Sequence, residues 1–316
     1  MTRTFRKLPH CPSRGCPAAR CLDESVAQSR RADLSLRRHA IICTGRFWRQ
    51  DDSRWIQRYR CKLCRRNFST STGTDTWRLR LRRYSEEILD RLAQKGSQRG
   101  IARSFGIHRS TVAHRTKMYG MRAEVYFDKL RVKDIRHVQF DEMQSSVHTK
   151  CKPVSMPLAV CAETRMILYV DVCVMPAGHP LKDISERRYG LRPDDRPEAV
   201  TRAMKRLKPM IARGGQITTD RASRYFAPIA KILPGVGHIA FKSRKARIGG
   251  QGELKKIGFD PLFAINHTAA MFRDGVARLI RKTWCNSKRI DMLRWHMLLY
   301  AKYFNERLLK RLPASA

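Results

Sequence analysis

Three short segments carry the side chains best suited to chemistry. "HVQFDEMQSS" places Asp141 and Glu142 directly after the strand formers Val138 and Phe140, "GQITTD" ends on Asp220, and "FAINHTAAMFRDG" carries Asn266 and Arg273. Carboxylates brought together raise each other's pKa, and a divalent cation between them removes the penalty. Mg²⁺ (or Mn²⁺) takes a few hard oxygen ligands, and a two-metal arrangement activates both the attacking and the leaving oxygen of a phosphodiester. Consecutive strand residues point to opposite faces, so Asp141 is the expected ligand and Glu142 its neighbour on the other side.

A second constellation is sulfur. Cys11-x4-Cys16 in "HCPSRGCP" and Cys61-x2-Cys64 in "RYRCKLC" can supply the four thiolates of a tetrahedral Zn²⁺ site, with Cys21 and Cys43 as spares. Between the pairs, Phe47-Trp48 and Trp55 to Tyr59 read as two strands joined by a turn at Asp51-Asp52-Ser53. The expectation is a zinc ribbon with structural Zn²⁺.

The charge balance says what such chemistry would act on. The chain has 316 residues, Lys+Arg 66 against Asp+Glu 27, and a formal net charge of +39. Phosphate neutralisation by Lys and Arg dominates non-specific affinity for nucleic acid, so a polyanionic partner is expected. Basic residues run from Arg3 to Arg311, unlike the compact cluster of a membrane-binding segment. The longest apolar run, "MILYVDVCVM", is interrupted by Asp171 and too short to span a bilayer, and "MTRTFRKLPH" has no apolar leader. A cytoplasmic, nucleoid-associated protein without a membrane partner is expected, with its ten cysteines as metal ligands or small buried groups.

These residues need elements to position them. "SEEILDRLAQKG" reads as a helix closed by Gly96, and Ser97 caps a short helix that a turn at Gly106 joins to a second one opening at His108. This is a helix-turn-helix pattern: His108, Arg109, Ser110 and Thr111 are expected toward base edges, Arg115 and Lys117 toward phosphate. From Arg131 onward, strand-like segments precede alternating helix and strand, which means an α/β fold with a mixed sheet covered by helices. "PLAVCAETRMILYVDVCV" is expected to be a hairpin turning at Glu163-Thr164, and "RPEAVTRAMKRLKPMIARGG" a helix closed by Gly214-Gly215. "MPAGHPLKDISERRYGLRPDDRPE" reads as an irregular connection. On the helix beginning near Phe263, Asn266, Ala270, Arg273, Ala277 and Arg281 share one face, and Phe272, Val276 and Leu279 another. Arg281-Lys282 and Lys288-Arg289 are expected to track a DNA backbone.

In order, "RYRCKLCRRNFS", the helix-turn-helix, "FDEMQSS", "ITTDRASRY" and "AINHTAAMFRDGVARLIRKTWCNS" resemble bacterial insertion-sequence transposases of the DDE type, over nearly the whole chain. The resemblance implies an RNase H-like core in which two Asp and a third acid on a helix bind two Mg²⁺ ions for DNA strand cleavage and transfer. It places Asp141 and Asp220 at the first two positions, Asn266 at the third and Arg273 at the basic position that follows. The third ligand is then an amide, an Asp-Asp-Asn variant, with Glu253 and Asp260 nearby as substitute acids. It also implies double-stranded DNA, both element ends and target, as partner, and a homo-oligomer when ends are synapsed. The expected organisation is a zinc ribbon over 1–75, a helix-turn-helix over 76–130, and an RNase H-like catalytic domain with a basic C-terminal helix over 131–316. A catalytically inactive descendant that binds specific DNA is the alternative, and a structure-selective nuclease or resolvase a third reading.

Overall fold

The computed structural model describes residues 10–13, 15–19, 40–74, 77–241, 260–280 and 285–309. Cys21, Glu253, Arg281, Lys282 and the basic stretch 242–256 lie outside them. The chain forms two compact units, Met1–Glu86 and Glu87–Ala316.

The first unit is a three-stranded antiparallel sheet in the order β1 (Ile41–Arg49), β2 (Arg54–Cys61), β3 (Asn67–Ser69). The β1-β2 turn falls at Gln50 to Ser53, and Ser53 takes a left-handed conformation with φ 45°. Trp48 pairs with Trp55 across it. Their rings meet edge to face at 5.7 Å, and both side chains are exposed. Among its described residues a small buried cluster gathers Cys11, Cys16, Ala18, Ala40 and Cys61, with Phe68 and Ala19 packed against them, and Ile56 of β2 is buried apart from it.

Helix α1 (Ser85–Ala93) begins at the last two residues of the first unit and runs into the second, where α2 (Gln98–Ser104) and α3 (Arg109–Lys129) follow. Ser97 Oγ accepts the Gly100 amide at 3.0 Å and caps α2, and Gly106 supplies the positive φ of the α2-α3 turn. Strands β4 (Ile135–Ser146), β5 (Pro153–Cys161), β6 (Ile167–Val170) and β7 (Cys173–Val174) follow, then α4 (Lys182–Tyr189), α5 (Arg196–Leu207), β8 (Ile211–Asp220), α6 (Phe226–Ile232), β9 (Gly237–Phe241), α7 (Phe263–Gly275) and α8 (Ile290–Tyr303). The sheet runs β6-β5-β4-β8-β9, with β7 beside β5. It is mixed: β4 pairs antiparallel with β5, and parallel with β8, which is itself parallel to β9.

One sheet face holds the main core. Val138 and Phe140 of β4 and Ile217 of β8 pack with Val200, Met204 and Leu207 of α5 and Ile229 of α6. The opposite face is covered by α7. Helix α3 lies along α8, and Gly120 makes this approach possible: a Cβ there would stand 2.2 Å from Trp295 Cβ.

Four sequence expectations are corrected. The segment 175–198 is not wholly irregular, since it contains α4 and the first residues of α5. The helix at 196 ends at Leu207; Gly214 and Gly215 belong to β8, where the register with β4 shifts between Ile135 and His137. Helix α7 stops at Gly275, so Ala277, Val276 and Leu279 do not extend its faces. A Cβ at Gly275 would fall 2.2 Å from Tyr300 Cε2 and 2.9 Å from the Ala93 carbonyl, and glycine there lets the chain turn in that crowded space. Finally, Asp141 and Glu142 lie inside β4 rather than at its end, because antiparallel pairing with β5 continues to Ser146.

Candidate active site and nucleic-acid interface

Asp141 nevertheless sits at a boundary within the sheet. Parallel pairing of β4 with β8 reaches Phe140↔Thr219. One step further lie Asp141 and Asp220, the last residue of β8. In adjacent parallel strands, residues at matching register project to the same face. His137 and Thr218, which share that face, are joined by a 2.7 Å hydrogen bond. Burial first, and then the Asp220 and Glu142 charges, push the Asp141 carboxyl up to about 7, although the Glu142 amide donates to its Oδ1 at 2.7 Å. The Ala222 amide donates to Asp220 Oδ1 at 3.1 Å.

Glu142 points the other way. Arg224 Nε donates to its Oε2 at 2.6 Å and the Tyr225 hydroxyl at 3.2 Å. Its side chain is 1% exposed, so its charge is committed to Arg224. Phe140, on the same face, packs edge to face on Tyr225 at 5.2 Å.

The α7 helix is fastened to the Asp141 face by Gln139. Its Oε1 accepts the Ile265 amide at 2.9 Å and its Nε2 donates to the Pro261 carbonyl at 3.0 Å. Gln139 and Asp141 are two residues apart on one strand and therefore share a face. The first turn of α7, carrying Asn266, is thus held against the face that bears both aspartates. Asn266 Nδ2 donates to Asp260 Oδ2 at 2.8 Å, and the Leu262 amide donates to Asp260 Oδ1 at 2.9 Å. Two carboxylates and an amide oxygen are hard donors of the kind Mg²⁺ accepts, so the residue types on this face fit that ion. Arg273 lies two turns further along α7, half-buried.

The four cysteines also come together. Cys11, Cys16, Cys61 and Cys64 place their sulfurs within 4.8 Å of one another. Cys11 Sγ is 3.4 Å from Cys64 Sγ, and Cys16 Sγ 3.6 Å from Cys61 Sγ. Tetrahedral zinc with Zn–S of about 2.3 Å requires sulfur separations near ~3.8 Å, so the cluster has the size and chemistry for a structural zinc ion. Burial pushes the Cys16 thiol up to about 12 and raises Cys11, whereas the Arg66 backbone amide, with Cys11 beside it, draws Cys64 down to about 6. Cys43 is exposed on β1, outside the cluster.

On the helix pair, His108 caps α3, its Nδ1 accepting the Ser110 amide at 3.3 Å. His108, Arg109 and Ser110 are exposed and Thr111 is half-buried. Lys117 is exposed, with Nζ 5.1 Å from the Trp295 ring centre. Arg115 corrects the expected phosphate contact. It is 2% exposed, because it falls on the inward stripe with Val112, Thr116, Gly120 and Ala123 at helical spacing.

Gln139 and Arg224 were not singled out by local pattern, because their partners lie far along the chain; Asp260, expected only as a substitute acid, is bonded instead to the Asn266 amide and the Leu262 backbone. Among the described residues, no helix is long and apolar enough to cross a membrane. The chain matches no family model and no curated protein.

Proposed function

We propose that the protein is a DDE-type DNA transposase with an RNase H-like core, an Asp-Asp-Asn site and a zinc-ribbon DNA-binding unit. The observation that carries this reading is the placement of Asp141 and Asp220 on one face of adjacent parallel strands, under the helix that bears Asn266. A carboxylate that burial and a like charge hold near neutral protonation is stabilised in its ionised form by a cation. Asp141 and Asp220 would hold Mg²⁺ through carboxylate oxygens, and Asn266 through its amide oxygen. When bound, the metal supplies Lewis-acid activation of the phosphodiester and of the attacking oxygen.

The rest belongs to the chain. Gln139 keeps α7 on the aspartate face, Asp260 orients the Asn266 amide, and Arg273 contacts a phosphate near the scissile bond. Arg224 neutralises Glu142 on the far face, which leaves Asp141 as the acid of this strand segment available to the site. Water attacks at the element end and frees a 3′-OH, which attacks target DNA without a covalent protein intermediate. The exposed start of α3, His108 to Ser110 with Thr111, faces base edges, and Lys117 the backbone. Trp48 and Trp55, with Arg46 5.5 Å over the Trp55 ring, give the first unit an aromatic and basic surface suited to DNA. Synapsis of two ends calls for a homo-oligomer on DNA.

Asn266 in place of an acid is the observation favouring the second reading, a descendant that binds DNA but does not cut it. Strand-specific cleavage of labelled DNA from the flanks of the gene, with Mg²⁺ or Mn²⁺, separates them. A nick made by the natural protein and lost in both Asp141→Ala and Asn266→Ala is the expected result. Specific binding without any nick would replace the transposase reading with the second one.

A further inference from the structure

A cleft of about 630 Å³ opens at the far end of β4, lined among others by Ser145, Ser146, Thr149, Lys150, Arg273 and Arg278. Its described lining residues offer three cations, several hydroxyls and amides, and no carboxylate. In a strongly basic chain exposed cations are ordinary. Cations converging on a concavity with hydroxyl donors are not.

Arg278 makes the case sharper. It is half-buried, burial draws its pKa down, and its Nη1 donates to Ser287 Oγ at 2.9 Å, which fixes the guanidinium plane. Among the described residues no carboxylate acts on it, and the one titratable neighbour that favours its charge is the Cys285 thiol, which also lines the cleft. A cation taken from water without a counter-charge is costly, and a bound anion offsets that cost. The cleft walls are also stitched together: the His148 amide donates to the Ser287 carbonyl at 2.7 Å, and Asn286 Nδ2 to the His148 carbonyl at 3.0 Å. The recess is built before any ligand arrives.

We propose that this cleft seats a backbone phosphodiester of the bound DNA, at a fixed distance from the bond held at Asp141 and Asp220. The inference rests on the transposase reading. Strand β4 is the ruler: Asp141 to Ser145 spans roughly 13 Å at about 3.3 Å per residue, which corresponds to about four nucleotides at 3.4 Å each. Arg278, just past the end of α7, grips this phosphate, Lys150 closes the rim, and Arg273 on α7 lies on the side of the cleft toward the scissile bond.

The test uses the full chain and duplexes from the gene's flanks that carry a single neutral methylphosphonate, moved one position at a time. Binding and the position of the nick are read on the same DNA. The expected result is an affinity loss of about tenfold when the phosphate about four nucleotides from the nick is neutralised. In Lys150→Gln that loss should shrink, and the slope of log affinity against log salt should fall by about 0.9. Arg278→Lys, which keeps the charge and is checked for folding by thermal melting, should lie between natural protein and Lys150→Gln. DNA that is bound and nicked with equal losses at every position, and with Lys150→Gln like the natural protein, overturns the cleft assignment and leaves the transposase reading standing. Competition by millimolar inorganic phosphate with no positional dependence also overturns it, by identifying a free anion instead. Failure to bind any of these DNAs overturns both.

Discussion

Asn266 and Asp260 are joined side chain to side chain, the amide Nδ2 donating to the carboxylate Oδ2 at 2.8 Å. The other Asp260 oxygen takes the Leu262 amide, so one acid both caps the entry to α7 and turns the Asn266 oxygen away from itself. The expectation is that Asp260→Ala weakens divalent-cation binding by about tenfold or more, the scale of losing a group that orients a metal ligand. Asp260→Asn, which still caps, should lose less. Titration with Mn²⁺ followed by electron paramagnetic resonance measures this without any cleavage assay. Equal Mn²⁺ affinity in Asp260→Ala and the natural protein would remove Asp260 from the site.

Gln139 has the same kind of role on the sheet side. It is 5% exposed and satisfies the amide of Ile265, itself 1% exposed. Gln139→Leu leaves that amide buried without a partner, at a cost of about 1–3 kcal/mol. Hydrogen exchange should then speed up in the first turn of α7 more than in α5, whose packing does not involve Gln139. Uniform acceleration over both helices would point to a general loss of stability instead.

What could be read from the residues alone follows from how local each signal is. The cysteine pairs and the Trp48–Trp55 hairpin were legible because spacing and turn chemistry sit within a few residues. The alternation at Val138 and Phe140 announced β4, yet its continuation to Ser146 depends on β5, which no local pattern reveals. Gln139 meets Ile265 across 126 positions of chain, so its function was invisible. Arg115 is different: its place on the Val112–Thr116–Gly120 stripe was available in the sequence, and the overall basic charge argued the wrong way. The end of α7 was misread because apolar periodicity runs on past Gly275, while the backbone turns extended at Val276.

Two groups, one half-buried and one fully buried, give stability opposite dependences on pH. Asp141, pushed up to about 7, binds its proton more tightly in the folded chain than the ordinary ~4 of an unfolded Asp. Between those values the folded state holds more protons, so this group's contribution falls as pH rises. His296, fully enclosed and donating to the Leu92 carbonyl at 2.9 Å, is drawn down to about 3 by burial. There the unfolded chain holds more protons up to ~6.5, and the contribution rises with pH. Asp141→Asn removes only the falling component. In magnesium-free buffer its stability relative to the natural protein, from urea titrations, should increase between pH 5 and pH 8. A difference that stays flat would mean that Asp141 titrates normally.

The first unit should depend on zinc for its fold. Three of the five buried residues in the cluster around the sulfurs are cysteines, Cys11, Cys16 and Cys61, so the metal takes the place of apolar packing there. Chelation, or Cys61→Ser, is expected to release about one zinc per chain and to abolish the structure around Trp48 and Trp55, seen as loss of amide protection in β1 and β2 and of the edge-to-face Trp48–Trp55 pair in near-ultraviolet circular dichroism. The second unit, with its own core, should keep its melting transition. A purified chain that holds no zinc yet retains protected amides in β1 and β2 would rule this out.

The last expectation concerns the helix that carries the proposed DNA-reading end. Alanine normally favours a helix over glycine by about 1 kcal/mol. At Gly120 that gain is outweighed, since the new Cβ would stand 2.2 Å from Trp295 Cβ and 2.6 Å from its Cα, backbone that cannot rotate aside. Gly120→Ala is therefore expected to destabilise by about 1–3 kcal/mol, read as a lower melting temperature. The displacement also matters for function. Arg294 ties α3 to the sheet, donating to Asp171 at 2.7 Å and pairing with Glu124 at 2.8 Å. If α3 is pushed off α8, the spacing from His108 to Asp141 changes while both sites stay intact. Gly120→Ala should then bind flanking DNA but nick it at scattered positions, mapped at nucleotide resolution. A variant that is less stable yet nicks at the natural position would show that the α3–α8 contact serves stability alone.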